Sequence, residues 1–278
     1  MKNVLRIILA LFYGLTVVQS IASIPMECKL EPLHDPWCYI VCVFVVGVGI
    51  FIVNGFLIEG YLKRRARIRV GAVGVEVNVS YGDIFNENGV VVIGVNDFFD
   101  TLVDDCHISE KSLHGMMVKK YWGANVGALD MQIEDGLTGK KYETTVRDGM
   151  AKEKRYPIGT AVFAKTDGGK RFVLVAISRT NAETHRTQSE LKDLNVAVSG
   201  ALDVARERAN GDTVSFPLMG SGNARIKSPE QALFNVLLAS IVTECLEHEK
   251  VSTQVNIVLY KKSLKNMNLV SLEREWRI

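Results

Sequence analysis

The chain has 278 residues, of which 47% are hydrophobic, and its 33 basic and 31 acidic side chains give a formal net charge of +2. This length accommodates one or two domains. From Gly71 onward the acidic and basic residues nearly balance, which argues against a nucleic-acid partner, because nucleic-acid-binding surfaces are basic. The apolar residues are unevenly spread, and this distribution divides the chain into two parts.

Two apolar runs without charged side chains, residues 7–24 and 38–58, occupy the N-terminal part. Their lengths approach the roughly 20 residues that cross a hydrocarbon core. The sequence therefore predicts two membrane spans, which form a hairpin over residues 1–62. Lys2 and Arg6 before the first run, together with small residues at its end, also fit a signal peptide, and this alternative stays open. In the second run, Gly47 and Gly49 permit close helix packing, although glycines also occur in spans that have no such role.

Basic residues after the second run indicate the orientation of the hairpin, because such residues stay on the cytoplasmic side. The five residues are Lys63, Arg64, Arg65, Arg67 and Arg69. We predict a basic juxtamembrane linker over residues 63–72 and a multi-pass protein of the inner cell membrane with a cytoplasmic domain. Cys28 and Cys38 lie in or beside the external loop, where either a disulfide or two free thiols fit the composition.

Metal-binding patterns are missing from the sequence. There is no CxxC pair, and the 5 histidines do not cluster along the chain. We therefore predict no metal site and no cofactor.

Beyond the linker, strand and helix patterns alternate. Strands are predicted at 73–79, 90–95, 159–165, 171–178, 213–219 and 254–260, and helices at 112–121, 126–134, 188–208 and 229–248. Such alternation implies a three-layer α/β domain with a mixed central sheet, here over residues 73–260. Ligands of these sheets lie at the carboxyl ends of the strands. The tail, residues 261–278, is polar with spaced apolar residues, and it either packs on the domain or joins protomers.

The most informative segment is the glycine-rich turn after the predicted strand 213–219. Gly220 and Gly222 lack a Cβ, so a ligand can approach the backbone N–H groups closely, and such concavities hold phosphate. The turn is neither a P-loop nor a dinucleotide fingerprint, and an ordinary strand-to-helix connection is the alternative. Ser228, Pro229 and Gln231 predict a capped helix start downstream, whose dipole favours an anion if the turn faces it.

Polar residues also follow two other predicted strands. Asp83 comes after strand 73–79, and Asn96 and Asp97 come after strand 90–95. A carboxylate, an amide and a phosphate-binding turn at one edge suit an adenine nucleotide, whose exocyclic amine can donate to Asp83. Each of these residue types is also common in turns that have no ligand.

Four segments, in this order, resemble macro domains, which bind ADP-ribose. They are Gly-Asp-Ile at 82–84, the apolar strand ending at residue 96, Tyr-Pro-Ile-Gly-Thr-Ala at 156–161 and Ser-Phe-Pro-Leu-Met-Gly-Ser-Gly at 215–222. The similarity covers roughly residues 73–260. With the apolar hairpin in front, the whole chain resembles the membrane-anchored macro-domain effector of type II Thoeris anti-phage systems.

The resemblance implies a set of ligand contacts. Asp83 and Ile84 match adenine contacts, and Asn96, with Asp97 beside it, matches a contact to the distal ribose. The diphosphate loop corresponds to Gly220, Ser221, Gly222, Asn223, Ala224 and Arg225. A second loop over the other face of the diphosphate corresponds to Ser112, Leu113, His114 and Gly115. Of these, His114 is the candidate contact for an additional group on the ligand, and a loop residue without a ligand role is the alternative.

Two departures from the macro-domain pattern favour a receptor over an enzyme. Ile93 stands where the family carries the first Asn of its Asn-Ala-Ala-Asn motif, and the Gly-Gly-Val-Asp type sequence that places a catalytic water is missing. Hydrolysis needs that water and a group to polarise it, so we predict no catalytic residues.

The resemblance also implies partners. In such systems a TIR-domain protein makes an ADP-ribose derivative that carries histidine or its imidazole, and the macro-domain protein oligomerises and acts on the lipid membrane. Two alternatives stay open: a membrane-tethered ADP-ribosyl hydrolase, and a passive anchor that recruits ADP-ribosylated partners.

Overall fold

The computed structural model describes residues 2–22, 36–58, 62–71, 74–147, 151–222, 226–260 and 269–276. These residues divide into two compact units. One, the hairpin unit, comprises Met1–Arg64 together with Asn268–Glu275, and the other, the α/β unit, comprises Arg65–Met267 with Trp276–Ile278. Cys28, one partner of the disulfide considered above, lies outside the described residues.

Two apolar helices packed side by side form most of the hairpin unit. Helix α1 spans Lys2–Ala22, and α2 spans Pro36–Val53 and continues as a π-helical turn over Asn54–Ile58. A Cβ added to Gly14 would lie 2.8 Å from the backbone nitrogen of Gly47, so the two backbones approach as closely as glycines permit. The packing role predicted for Gly47 is therefore confirmed.

Among the described residues, one helical segment is long enough to span a membrane. Pro36–Ile58 is long and apolar enough to cross a membrane, with a mean hydropathy of 2.7, whereas the apolar part of α1, Val4–Ser20, is shorter. Gly49 differs from Gly47, since an added Cβ would meet no atom of the described residues within 4 Å. One candidate span is thus established by length and composition, and the second span remains a proposal.

The C-terminal helix α7, Leu269–Glu275, clusters with the hairpin unit. The Arg274 guanidinium donates to the carbonyl oxygen of Leu57 at 3.2 Å, and Glu273 forms a salt bridge with Lys63. The tail was predicted to pack on the α/β domain or to join protomers, and its contact with the end of α2 was in neither prediction. Spaced apolar residues do not reveal which surface they cover, so tertiary structure decided this contact.

A mixed sheet forms the centre of the α/β unit. Its strands are β1 (Arg65–Val70), β2 (Val75–Tyr81), β3 (Val90–Asn96), β6 (Ala161–Lys165), β7 (Arg171–Thr180), β8 (Thr187–Gln188), β9 (Val214–Pro217) and β10 (Gln254–Leu259), while β4 (Glu143–Thr144) and β5 (Lys154–Arg155) form a separate pair. The order across the sheet is β1-β2-β10-β9-β3-β7-β6, with β8 paired to β7. The five strands from β2 to β7 are parallel, and β1 and β6 are antiparallel to their neighbours.

Helices cover both faces of this sheet, which confirms the three-layer prediction. Helices α3 (Leu113–Trp122) and α4 (Val126–Leu137) share one core with alternate residues of β3 and β7. Helices α5 (Leu191–Arg208) and α6 (Glu230–Glu247) pack against each other, and α5 also packs on β7. Ile93, which stands where the resemblance expects an Asn, lies fully buried in the α3–α4 core.

The basic segment after the hairpin is a strand and not only a linker. Arg65, Arg67 and Arg69 are exposed, whereas Ala66 and Ile68 between them are buried against the sheet. This alternation is the period of a half-buried strand. The prediction of a linker over residues 63–72 is wrong for 65–70, because it weighed the charges and not the apolar residues between them.

The predicted helix cap before α6 is also wrong. The helix begins at Glu230 with Pro229 at the N-cap, and no side chain caps it. Because the start falls one residue later than predicted, Ser228 lies outside the cap position. The Gln231 side-chain amide donates to Asn235 at 3.3 Å and does not close a capping box.

Candidate ligand-binding cleft at the strand tips

Five parallel strands end at one edge of the sheet, and the predicted site residues follow three of them. Asp83 follows β2, Asn96 ends β3, and Gly220 follows β9. The tips of β2 and β10 are joined by a hydrogen bond from Gly82 N to the carbonyl oxygen of Leu259 at 3.0 Å. The structure therefore brings the three predicted groups to one edge, where they follow the sheet order as a carboxylate, a glycine turn and an amide.

At the tip of β2, Asp83 caps a single 3₁₀ turn. One carboxylate oxygen accepts a hydrogen bond from Phe85 N at 3.0 Å, and the side chain is otherwise exposed. Ile84 is buried beneath it. The neighbouring Tyr81 hydroxyl is buried without a hydrogen-bond partner among the described residues. Burial, together with the charge of Glu230, raises the pKa of Tyr81 to about 12, so this hydroxyl stays protonated and free to donate.

At the tip of β9, the glycine turn is open on one side and packed on the other. Gly220 has φ +88°, and a Cβ there would lie 2.6 Å from the Ile226 side chain. Among the described residues, no atom lies within 4 Å of a Cβ added to Gly222. The Ser221 hydroxyl donates to the carbonyl oxygen of Leu218 at 2.9 Å, which fixes the turn. The remaining predicted loop residues, Asn223, Ala224 and Arg225, lie outside the described residues.

At the tip of β3, both polar atoms of the Asn96 side chain are hydrogen-bonded within the protein. Its amide nitrogen donates to the Asp100 carboxylate at 2.8 Å, and its oxygen accepts from Asp100 N at 3.1 Å. Asp100 in turn receives two hydrogen bonds from Arg147, both at 2.9 Å, and neither charged side chain is more than 3% exposed. The Arg147 guanidinium also lies 4.0 Å from the ring centroid of Phe98. Sequence reasoning missed Asp100 and Arg147, since 47 residues separate them and neither belongs to a recognisable motif.

Asp97 joins the tips of β3 and β7. Its carboxylate accepts from Thr180 N at 2.9 Å and lies 3.2 Å from Arg155 Nε. Its own N–H donates to the carbonyl oxygen of Ser178 at 2.9 Å. Burial raises the pKa of Asp97, while the Thr180 N–H and Arg155 oppose that shift. The partners of this carboxylate therefore lie on the β7 side of the edge.

The segment Ser112–Gly115, which the resemblance placed in a loop, is the N-cap and first turn of α3. The Ser112 hydroxyl accepts from Gly115 N at 2.9 Å. A Cβ on Gly115 would lie 2.3 Å from the carbonyl oxygen of Ser109, so only glycine fits there. Leu113 is half-buried at the helix start. The first N–H groups of a helix are available to anions, so this turn keeps the character that a diphosphate contact needs.

His114 is buried, and its Nε2 has no hydrogen-bond partner among the described residues. Burial lowers the pKa of His114 to about 4; Lys152 acts in the same direction and Asp100 opposes it. The imidazole is therefore neutral at pH 7. Across the described part of the chain, no group of three or more His, Cys, Asp or Glu side chains is placed to hold a metal ion.

The sheet order, the helices on both faces and the glycine turn at the parallel strand tips define a macro domain. Solved macrodomain structures share this fold. A glycine-to-valine mutant of the Oceanobacillus iheyensis macrodomain with ADPR matches with a TM-score of 0.52 at 14% identity, over 76% of this chain and 97% of that one. The same macrodomain with MES bound matches with a TM-score of 0.51 at 13% identity, over 76% and 97% of the two chains.

Comparison of sequences identifies the family. Residues 77–260 match the model of the Thoeris protein ThsA macro domain, so the chain belongs to that family. It is also 28% identical over 275 residues to the Thoeris protein ThsA of Bacillus amyloliquefaciens (strain Y2), which covers 97% of this chain and 87% of that protein. The resemblance to a macro-domain Thoeris effector is thereby confirmed, and the similarity extends over the hairpin as well as the macro domain.

Proposed function

We propose that this protein is a membrane-anchored receptor and effector of anti-phage defence. Its macro domain binds an ADP-ribose-derived signal, a histidine- or imidazole-conjugated ADP-ribose made by a TIR-domain partner. Binding then leads the protein to oligomerise through its hairpin and to disrupt the cell membrane. The observation that carries this proposal is an apolar helical hairpin and a macro domain in one chain, aligned over 97% of its length with a Thoeris protein.

The geometry of the strand tips supports the nucleotide part of the proposal. Asp83 has one carboxylate oxygen free for the adenine amine, since the other accepts from Phe85 N. The open side of Gly222 leaves room for a diphosphate beside the turn. Four parallel strands from β2 to β3 span about 14 Å at the usual spacing, a width that suits a ligand of several linked groups.

In this proposal Asn96 acts on the distal ribose from a fixed position. Its side chain is held by Asp100, so a ribose hydroxyl would meet a fixed surface at the β3 tip. The same pairing supports a receptor over a hydrolase. A general base must be free to accept a proton, and the Asp100 carboxylate is already engaged by Arg147.

The hairpin supports the membrane part of the proposal. Gly47 is buried against α1, whereas Gly49 opens onto an apolar groove of about 510 Å³ on the hairpin surface. Small residues let helices approach closely in a membrane, so this groove suits a second hairpin. A single hairpin encloses no water path, and disruption of the membrane therefore requires several copies.

The C-terminal helix gives the macro domain a second connection to the hairpin. The chain leaves the hairpin directly into β1, and it returns from β10 to α7. Arg274 of α7 bonds Leu57 at the end of α2, and Glu273 pairs with Lys63 before β1. The strand β2, which carries Asp83 at its tip, lies between β1 and β10. We propose that a change at the β2 tip reaches the hairpin through these two flanking strands.

Full-length protein in dye-loaded liposomes tests the proposal. We expect ADP-ribose and its histidine or imidazole conjugates to bind, measured by calorimetry, and a conjugate to release the dye. The matched control is Gly222→Leu, which should bind at least tenfold more weakly and release less dye while it melts at the wild-type temperature. Binding without leakage would support the passive anchor. Turnover of O-acetyl-ADP-ribose that is lost on changing Asn96 would support a hydrolase, and no binding at millimolar concentration would overturn the proposal.

A further inference from the structure

The short helix α7 contacts the hairpin unit at the point where the candidate membrane span ends. The last five residues of that span, Asn54–Ile58, form a π-helical turn. Such turns are rare, and they are frequently found at functional sites. A helix leaves its last carbonyl oxygens without partners inside the helix, so this end needs hydrogen-bond donors from elsewhere.

Two donors from outside the helix reach carbonyl oxygens of this turn. Leu62 N, from the segment that follows directly, donates to the oxygen of Gly55 at 2.9 Å. The Arg274 guanidinium of α7 donates to the oxygen of Leu57 at 3.2 Å, across 217 residues of sequence. One part of the cap at this helix end is therefore local, and the other part is supplied by α7.

A second contact joins α7 to the segment that leaves the hairpin. The Glu273 carboxylate forms a salt bridge with Lys63, which lies between the π-helical turn and β1, and the two side chains are 28% and 24% exposed. Salt bridges that water can reach contribute little to stability. This contact can therefore open and close again, as a regulated contact must.

The apolar side of α7 shows that this helix is packed and not only held by its charges. Leu269 and Leu272 lie on the same side of the helix, because residues three positions apart are neighbours on a helix surface, and both are fully buried. The helix belongs to the hairpin unit, whereas the chain before and after it is assigned to the α/β unit. Because the chain is continuous, a rearrangement of the α/β unit acts on α7 from both ends.

We propose that α7 is an autoinhibitory clamp on the hairpin. While Arg274 binds Leu57 and Glu273 binds Lys63, the end of the span is fixed and the hairpin stays apart from other copies. Release of both contacts frees this end, and the hairpins then associate. A signal that binds the released arrangement more tightly shifts the population towards it. This inference rests on the proposed function, because it assumes that associated hairpins disrupt the membrane.

Dye release in the absence of any nucleotide tests the clamp. The full-length protein is reconstituted into dye-loaded vesicles of phosphatidylethanolamine and phosphatidylglycerol. Glu273→Lys places two ammonium groups side by side, and we expect it to release dye roughly fivefold faster than the wild type or more, which is the lower end of typical coupling between sites. Arg274→Ala removes only the donor to Leu57 and should give a smaller increase.

Two further variants control for the change of charge. Addition of Lys63→Glu to Glu273→Lys restores an oppositely charged pair with the signs exchanged, so the double variant should return to the wild-type rate. Glu110→Lys makes the same charge reversal in the α/β unit, where Glu110 pairs with Lys119 at 2.7 Å, and it should leave the rate unchanged. Thermal unfolding of each variant shows whether the fold is kept.

The remaining outcomes separate the clamp from the proposed function. The clamp is overturned if Glu273→Lys leaks no faster than the wild type, if the double variant or Glu110→Lys leaks as fast as Glu273→Lys, or if the leak accompanies a loss of cooperative unfolding. None of these results affects leakage of the wild type with a nucleotide. If the wild type responds to no ADP-ribose conjugate, while Glu273→Lys leaks and the double variant does not, the clamp stands and the proposed signal falls.

Discussion

The tips of β3 and β9 lie at the same edge of the sheet and differ in almost every physical respect. At β3, Asn96, Asp100 and Arg147 form a buried network in which each charged group is paired. At β9, Ser221 and Gly222 are exposed, and the space before Gly222 is open. Removal of one partner of a buried charge pair lowers the unfolding free energy strongly, whereas a substitution in an exposed turn lowers it little.

This difference indicates how one edge can combine rigidity with recognition. A site binds tightly when its groups are held in place before the ligand arrives. The β3 tip supplies the fixed wall, and the β9 tip supplies the accessible backbone. Substitutions at β3 should therefore act mainly on folding stability, and substitutions at β9 should act mainly on ligand affinity.

The largest effect is expected from Asp100→Ala. It leaves the Arg147 guanidinium buried without its carboxylate, at a side-chain exposure of 0%, and removal of one partner of such a pair costs about 3–5 kcal/mol. Denaturant unfolding of the full-length protein measures this loss. Ser221→Ala at the β9 tip is the matched comparison and should change stability by less than about 0.5 kcal/mol. Equal effects of the two substitutions would contradict the contrast between the tips.

Next in size is a pH effect from His114, beside the β3 network. Its pKa is about 4 in the folded protein and about 6.5 in the unfolded chain. Between these two pKa values the unfolded state binds more protons than the folded state. The contribution of His114 to the unfolding free energy is therefore fully present above pH 6.5 and is lost as the pH falls towards 4. The loss amounts to about 3 kcal/mol.

The measurement is the unfolding free energy of wild type and His114→Asn between pH 7 and pH 4. Carboxylates titrate in both proteins over this range, so the difference between the two unfolding free energies isolates His114. The variant should lose less stability than the wild type over this range. Parallel curves would contradict a neutral, buried imidazole.

At the β9 tip, Gly222→Leu should weaken ADP-ribose binding at least tenfold, about 1.4 kcal/mol, with stability unchanged. The new side chain would fill the space that the diphosphate needs, and its Cβ meets no atom of the described residues within 4 Å. For Gly220→Ala we expect the opposite, a loss of stability. Its φ of +88° and the nearby Ile226 side chain should lower stability by about 1 kcal/mol or more. Calorimetry and thermal unfolding of both variants test whether Gly222 acts on ligand binding and Gly220 acts on stability.

The smallest effect concerns Asp83 at the tip of β2. Asp83→Asn keeps an oxygen that can accept from Phe85 N, so the 3₁₀ turn and the stability should persist. It replaces the free acceptor by a donor, and loss of one hydrogen bond to the adenine amine should raise the Kd for ADP-ribose roughly five- to tenfold. An unchanged Kd would remove Asp83 from the adenine site.

The elements of the macro domain could be predicted because their signals are local. The apolar run at β3, the turn before β7 and the spacing of α5 each fall within one segment, and each agrees with the structure. The hairpin helices were predicted for the same reason, since a long uncharged run is visible without knowledge of any partner. The strand β1 was missed, although its alternation was present, because its charges were given more weight.

The sequence by itself determined the alternation of strands and helices, the apolar hairpin and the residues that follow each strand. Tertiary structure decided which of those residues have free atoms. Asn96 and Asp83 look alike as polar residues after strands, yet Asp100 bonds both polar atoms of the Asn96 side chain, and Arg147, 47 residues beyond Asp100, holds that carboxylate in place. The ion pair between Asp100 and Arg147, and the burial around it, depend on atoms brought together from 47 residues apart, and no local pattern contains them.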